Sequence, residues 1–249
     1  MIQIDPKSQL VRADTDIEIG ELDNKLSREG FTLNYWTPPD NQHHLAEVLR
    51  HRLPNVYYRG FGGIEELCVQ IRLVNESGKV FMNKLAPRSA TGPSLKNLAI
   101  GTADLVGVPI EAVLKIFPKP QNEAYALLLF PNEDKRASFW KSFLRLRLTL
   151  AMAEILPAPE GASGAGEEDS GGFSIAIADW GNRELVEAKF DLLAALAMDK
   201  KGMFVLVEDP KRQEGLLQRL KEQAVLAWKS KGEEKFAYPK VLQALKGAI

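Results

Sequence analysis

Histidine and cysteine, the side chains most often used for catalysis and metal binding near neutral pH, number only three and one in this 249-residue chain. His43 and His44 are adjacent. Neighbours on a helix point roughly 100° apart, so the pair cannot face one metal ion. No acidic partner is read at ligand spacing, and a surface or helix-start role suits both. The single cysteine, Cys68, opens the apolar run CVQIRLVN, where a lone thiol is usually a small buried hydrophobe. Arg59, Lys84 and Arg88 are cations that could contact a nucleotide phosphate, although scattered basic residues are more often solvated. Arg88 adjoins the turn Ser89-Ala90-Thr91-Gly92. Gly101 and Gly107 bracket a turn where backbone could approach a ligand closely, because glycine has no Cβ to block it. No metal site is expected, and no side chain is marked as a catalytic base.

The elements that must position these residues follow from periodicity and punctuation. MIQID and QLVRAD flank a Pro6-Lys7-Ser8 turn, the pattern of a hairpin. Asp16 is the expected N-cap of a helix with the stripe Ile17, Ile19, Leu22 and Leu26, closed by Gly30. Residues 31–36 read as a strand stopped by Pro38-Pro39, Cys68–Asn75 as a strand, and Glu76-Ser77-Gly78-Lys79 as a turn into Val80–Leu85. Ser94 suits a helix N-cap, with Leu95, Leu98 and Ala99 as the buried face, and Ala112–Pro118 is β-rich. Beyond Pro120 the expected order is strand (123–131), helix (133–150), strand (152–157), strand (173–178), helix (183–199), strand (203–207) and a helical tail. Leu216, Leu217, Leu220, Val225 and Trp228 are the tail's expected buried face. Strand–helix–strand, repeated, is the order of a ferredoxin-like unit. The stretch 159–172 is rich in glycine, serine and acids and reads as a flexible loop.

Residues 78–120 resemble the end of the FAD-binding domain of the vanillyl-alcohol oxidase / p-cresol methylhydroxylase (PCMH) superfamily, and within it the flavin subunits of glycolate oxidase. The resemblance lies in Thr91-Gly92-Pro93-Ser94-Leu95, in Gly101-Thr102 with Gly107-Val108, and in the closing Lys115-Ile116-Phe117-Pro118-Lys119-Pro120. Tyr58-Arg59-Gly60-Phe61 and the order strand–turn–strand–helix–strand–proline upstream are similar too. The fold this implies is α+β. Residues 1–120 would be the second half of a PCMH-type FAD-binding domain, without the half that grips the pyrophosphate. Residues 121–249 would be a ferredoxin-like cap domain with a helical tail. The implied cofactor is FAD, held weakly or shared with a partner, and the implied cofactor-binding residues are Pro39, Gly60, Gly92, Gly101, Gly107 and Val108. The implied activity is that of a subunit in a flavin-dependent 2-hydroxy acid oxidase complex, with a second copy or other oxidase and iron–sulfur subunits as partners. The interval between Gly30 and Gly60 holds no glycine, and Asp104 would bring a carboxylate toward a pyrophosphate. Both features suit the alternative, a non-catalytic scaffold or regulatory subunit that has lost the flavin.

Composition narrows the rest. A formal net charge of -1 gives no global pull toward nucleic acid or anionic lipid. No apolar run approaches the roughly 20 residues of a membrane-spanning helix, and the N-terminus has no basic-then-apolar leader. One cysteine excludes a disulfide within the chain. Cytoplasm is the expected compartment.

Overall fold

The computed structural model describes residues 1–37, 42–85, 95–102, 105–156 and 173–235, the last with side chains to residue 222. The chain divides into two compact units: 1–123 with 149–152 and 180–183, and the remainder.

In the first unit β1 (Ile2–Asp5) and β2 (Leu10–Asp14) form the expected hairpin, with Ile2 opposite Ala13 and Asp5 opposite Leu10. The Asp5 carboxylate closes its turn by accepting the N–H groups of Lys7 and Ser8 at 3.1 and 3.2 Å. Helix α1 (Ile19–Arg28) buries Ile19, Leu22 and Leu26, but its N-cap is Glu18, not Asp16. Residues 15–18 are held extended instead. Ile17 and Thr15 accept the N–H groups of Leu45 and Ala46 at 2.8 Å, and Glu18 bridges to His44. Gly30 follows the helix at φ 79°, as its C′ position requires.

The strand expected over 31–36 is only Phe31–Thr32 (β3). Beyond it, buried side chains replace ladder partners. Asp23 accepts Thr32 Oγ1 at 2.9 Å and the Leu33 N–H at 2.7 Å. Asn34 sits at φ 47°, its N–H on Thr32 Oγ1. Asn55 holds both sides of the segment. Its Nδ2 donates to the Asn34 and Gly62 carbonyls at 3.0 and 2.8 Å, and its Oδ1 accepts the Trp36 and Tyr57 N–H groups at 3.1 and 3.0 Å.

Three short helices follow, α2 (Leu45–His51), α3 (Tyr58–Phe61) and α4 (Ile64–Leu67). Then come β4 (Cys68–Val74), β5 (Val80–Met82), α5 (Leu95–Ala99), β6 (Val108–Lys115) and β7 (Phe117–Pro118). Strand β5 ends three residues short of expectation because Asn83 substitutes its side chain for backbone. Its Oδ1 accepts the Ile71 N–H at 2.8 Å and its Nδ2 donates to the Val69 carbonyl at 3.0 Å. In α5 the expected apolar face is only partly used, since Leu98 is half exposed while Ala99 is buried. The sheet order is β1-β2-β6-β4-β5, and β3 pairs with β7. Val11, Ala13, Ile71, Leu73, Ala112 and Leu114 from the sheet share one core with Leu22, Leu26, Leu45, Val48, Ile64 and Leu67 from the helices.

The second unit runs β8 (Asn122–Phe130), α6 (Glu133–Leu146), β9 (Met152–Ile155), β10 (Phe173–Gly181), α7 (Arg183–Asp199), β11 (Met203–Leu206) and α8 (Pro210–Lys235). Its sheet order is β11-β8-β10-β9, so by position in the unit the strands read 4-1-3-2, the interleaving of a ferredoxin-like fold. Asn132 caps α6 by accepting the Lys135 N–H at 3.0 Å. The helix stops at Arg147, at φ 51°, earlier than the expected residue 150. Phe130, Phe139 and Phe143 stack through the core at 5.2 and 6.3 Å. The Asp179 carboxylate and the Lys189 ammonium pair at 2.7 Å with little exposure on either side. In α8, Leu216 and Leu220 are buried and Leu217 is partly so; the expected flexible loop 159–172 and the side chains of Val225 and Trp228 lie outside the described residues.

Loss of the Asn55 side chain would leave four backbone groups, those of Asn34, Trp36, Tyr57 and Gly62, without this partner. Replacing it with alanine is expected to cost about 2–4 kcal/mol, and aspartate, which keeps only the accepting oxygen, is expected to fall between. Urea unfolding followed by tryptophan fluorescence measures both.

Candidate functional site

The described candidate residues each have a local partner. Gly60 lies in α3, its N–H on the Tyr57 carbonyl at 3.1 Å. A Cβ there would stand 3.0 Å from Ala151 Cα and from the Leu150 carbonyl oxygen. Behind it the Phe61 ring meets Phe117 at 5.1 Å and Trp180 at 6.0 Å, and Trp180 meets Tyr57 at 5.1 Å. Gly101, at φ 81°, donates its N–H to the Leu49 carbonyl at 2.8 Å. Its added Cβ would be 3.3 Å from Arg52 Cβ. Gly107, at φ 145°, would put a Cβ 2.8 Å from the Val74 carbonyl oxygen. Val108 opens β6 opposite Val74 and is half exposed. Pro39, Gly92, Arg88 and Asp104 lie outside the described residues.

Around the Gly101 turn stands a charged cluster that sequence reasoning missed. Arg52 ends α2 in the left-handed region, φ 49°, and forms an ion pair with Glu65. That hydrogen bond raises the guanidinium pKa further. Lys96, on α5, donates to the Glu65 and Cys68 carbonyls at 2.7 and 2.8 Å, where the last turn of α4 leaves acceptors open. Thr102 adds a bond from its hydroxyl to the Ala99 carbonyl at 2.9 Å. The cluster's contacts join Arg52 to Glu65 across 13 positions and Lys96 to Cys68 and Glu65 across 28 and 31, so no local pattern announces it.

His43 and His44 do begin a helix, His44 being the N-cap of α2. The expectation that no acid stands at suitable spacing is corrected. Glu47 lies one turn on, and its carboxylate is 3.0 Å from His43 Nδ1. Among the described residues no group of histidine, cysteine and carboxylate side chains could hold a metal ion. Arg59 lies in α3 and Lys84 beyond β5, both exposed. Cys68 is buried, with Sγ 3.3 Å from the Gln70 carbonyl, and burial pushes its thiol pKa up to about 12. No helix among the described residues is long and apolar enough to cross a membrane.

Comparison with known proteins gives these features a context. No protein-family model matches the chain. Alkyldihydroxyacetonephosphate synthase of Caenorhabditis elegans is 26% identical over 141 residues, 57% of this chain and 24% of that protein. The FAD-linked oxidoreductase YgcU of Escherichia coli (strain K12) is 26% identical over 141 residues, 56% of this chain and 28% of that protein. Glycolate oxidase subunit GlcD of Bacillus subtilis (strain 168) is 26% identical over 161 residues, 62% of this chain and 34% of that protein. The matched stretch thus spans about a quarter to a third of these relatives. Among solved structures, alkyldihydroxyacetonephosphate synthase superposes with a TM-score of 0.73 at 16% identity, over 88% of this chain and 44% of that one. Substrate-bound p-cresol methylhydroxylase does so with a TM-score of 0.66 at 15% identity, over 91% of this chain and 52% of that one. Of these relatives YgcU is named an FAD-linked oxidoreductase and GlcD a glycolate oxidase subunit, and the fold is of the PCMH type.

The described glycines are engaged within the chain itself. The N–H groups of Gly60 and Gly101 are already bonded inside the protein. At Gly60, Gly101 and Gly107 the space left by the missing Cβ is filled by the chain's own atoms.

Cys68 yields a pH prediction. Its thiol ionises near 9.0 when unfolded and near 12 when folded. The stability tied to its neutral form is intact below pH 9 and is lost as pH rises through that window, by up to about 1.4 kcal/mol per pH unit. Cys68→Ala should flatten its share of the alkaline decline in urea midpoints, and the native thiol should resist Ellman's reagent at pH 8.

Proposed function

We propose that this relative of FAD-linked oxidoreductases is a subunit of a flavin-dependent oxidase complex acting on a 2-hydroxy acid or a similar alcohol. The observation that supports this is the fold. A five-stranded sheet with short helices is followed by a 4-1-3-2 ferredoxin-like unit, and the likeness to PCMH-type structures runs over 88–91% of the chain. Residues 1–120 would be the part related to the flavin domain, and 121–249 its cap. GlcD, named as one subunit of a glycolate oxidase, supports a hetero-complex with other oxidase or iron–sulfur subunits, or a homo-oligomer. FAD supplies hydride-accepting chemistry in such enzymes. Its pyrophosphate would be gripped by groups other than the Gly60 and Gly101 amides. This chain's described residues would shape the wall beside it.

A second reading is a scaffold or regulatory subunit that carries the fold without the flavin. The engaged amides of Gly60 and Gly101 favour it. The two readings separate on colour and affinity. With the Gly60 and Gly101 amides already engaged, and a hydrogen bond to a charged group worth roughly 1.5–3 kcal/mol, the isolated chain is expected to purify colourless and to bind added FAD more weakly than about 1 μM. Co-purification with a partner that restores stoichiometric flavin absorbance supports the first reading. A complex that stays colourless and inactive on 2-hydroxy acids supports the second.

A further inference from the structure

We infer that this chain keeps Gly60, Gly101 and Gly107 for its own packing, and that an Arg52–Glu65–Lys96 latch fastens the Gly101 turn in the space a ligand would need. The inference rests on reading the chain as a flavin-domain relative, and it holds whether or not the complex carries flavin.

Three independent features of the Gly101 turn point the same way. Its φ of 81° lies where L side chains are strained, so glycine is favoured there by backbone geometry alone. Its N–H is bonded at 2.8 Å to Leu49, the carbonyl of the last turn of α2. Its Cβ-less side is occupied by the Arg52 stem at 3.3 and 3.6 Å. Arg52 is itself fixed, in the left-handed region at φ 49° and ion-paired to Glu65. Lys96 completes the latch. Its ammonium binds the Glu65 and Cys68 carbonyls, so α5, which leads into Gly101, is tied to α4 while Gly101 is tied to α2. Gly107 is more constrained still, because its Cβ would meet a backbone oxygen at 2.8 Å rather than a movable side chain. A ligand approaching any of the three on that side would have to displace protein.

The alternatives differ in what they demand of residue 101. A ligand-approach glycine tolerates no side chain, and asparagine is worse than alanine there. A backbone glycine at this φ tolerates asparagine better than alanine, because asparagine visits the left-handed region with less strain. The Cβ of either replacement would meet the Arg52 stem at 3.3 Å, so the two differ chiefly in backbone strain. The test measures thermal melting and FAD titration to 1 mM on the full chain and on Gly101→Ala, Gly101→Asn and Gly107→Ala.

Gly101→Ala is expected to lower Tm by several degrees, Gly101→Asn to recover most of that loss, and Gly107→Ala to lower it further. Flavin uptake is expected to match wild type in every variant that folds. If Gly101→Asn melts like wild type yet weakens FAD binding tenfold or more, the inference is overturned. It is also overturned if asparagine melts no better than alanine. A wild-type chain and complex that take up no FAD while asparagine rescues melting would support the inference and overturn the oxidoreductase reading, so the two fail separately.

Discussion

The first unit depends on the insertion of β6 between two hairpins. Without residues 108–115, β1–β2 and β4–β5 are separate two-stranded ribbons, which are marginal in water. With them, Leu10 through Asp14 pair with Lys115 through Glu111 on one side, and Cys68 through Val74 pair on the other. Ala112 lies at the crossing of both ladders, opposite Ala13 and Ile71. A small residue there leaves room for α2, whose Leu45, Val48 and Leu49 share the core. On the opposite face Arg12 reaches Glu111 and Gln70, linking β2, β6 and β4. Thr15 adds to the join, its hydroxyl on the Pro109 carbonyl at 2.6 Å. Since β6 reaches β2 across about a hundred residues, the sheet closes late, and non-local pairing of this kind is slow.

That closure explains why side chains do so much backbone work between Gly30 and Gly60. Among the described residues the sheet takes up five strands, and residues 33–37 are not one of them. Buried backbone groups must be paired somewhere. Asp23, Thr32 and Asn55 supply the partners, and Tyr35 is pinned by its hydroxyl on the Leu53 carbonyl at 2.5 Å. Burial raises the Tyr35 phenol well above its ordinary pKa, so it remains a neutral donor.

Period and punctuation made most elements legible. The first hairpin, the Ile19–Leu22–Leu26 stripe, strands β4 and β8–β11, and helix α7 all follow from local pattern, which is where sequence carries the information. The misses are non-local. Asp16 has the right chemistry for a cap, but residues 15–18 are drawn out by pairing with 43–46, and the helix starts at Ile19 instead. Residues 31–36 have strand composition, but among the described residues only Phe31 and Thr32 pair with another strand. The His43–Glu47 pair has the local i, i+4 spacing; the Arg52–Glu65–Lys96 cluster has no local signature, because its members meet only after the chain has folded.

Glycine is where sequence reading is least able to separate function from fold. The same residue type serves a positive φ, a crowded backbone crossing, or a ligand that must lie close, and a motif of spaced glycines is equally consistent with all three. The structure distinguishes them by asking what fills the missing Cβ and what receives the N–H. At Gly101 both answers are protein: Arg52 and Leu49. At Gly107 the neighbour is the Val74 carbonyl, in the β4 ladder that β6 must enter. The glycines that carry the likeness to flavin proteins therefore also start the central strand and fasten α5, so the fold alone is reason enough to retain them. Shared glycines in this stretch are evidence of common architecture, and evidence for the cofactor has to come from groups whose donors remain open.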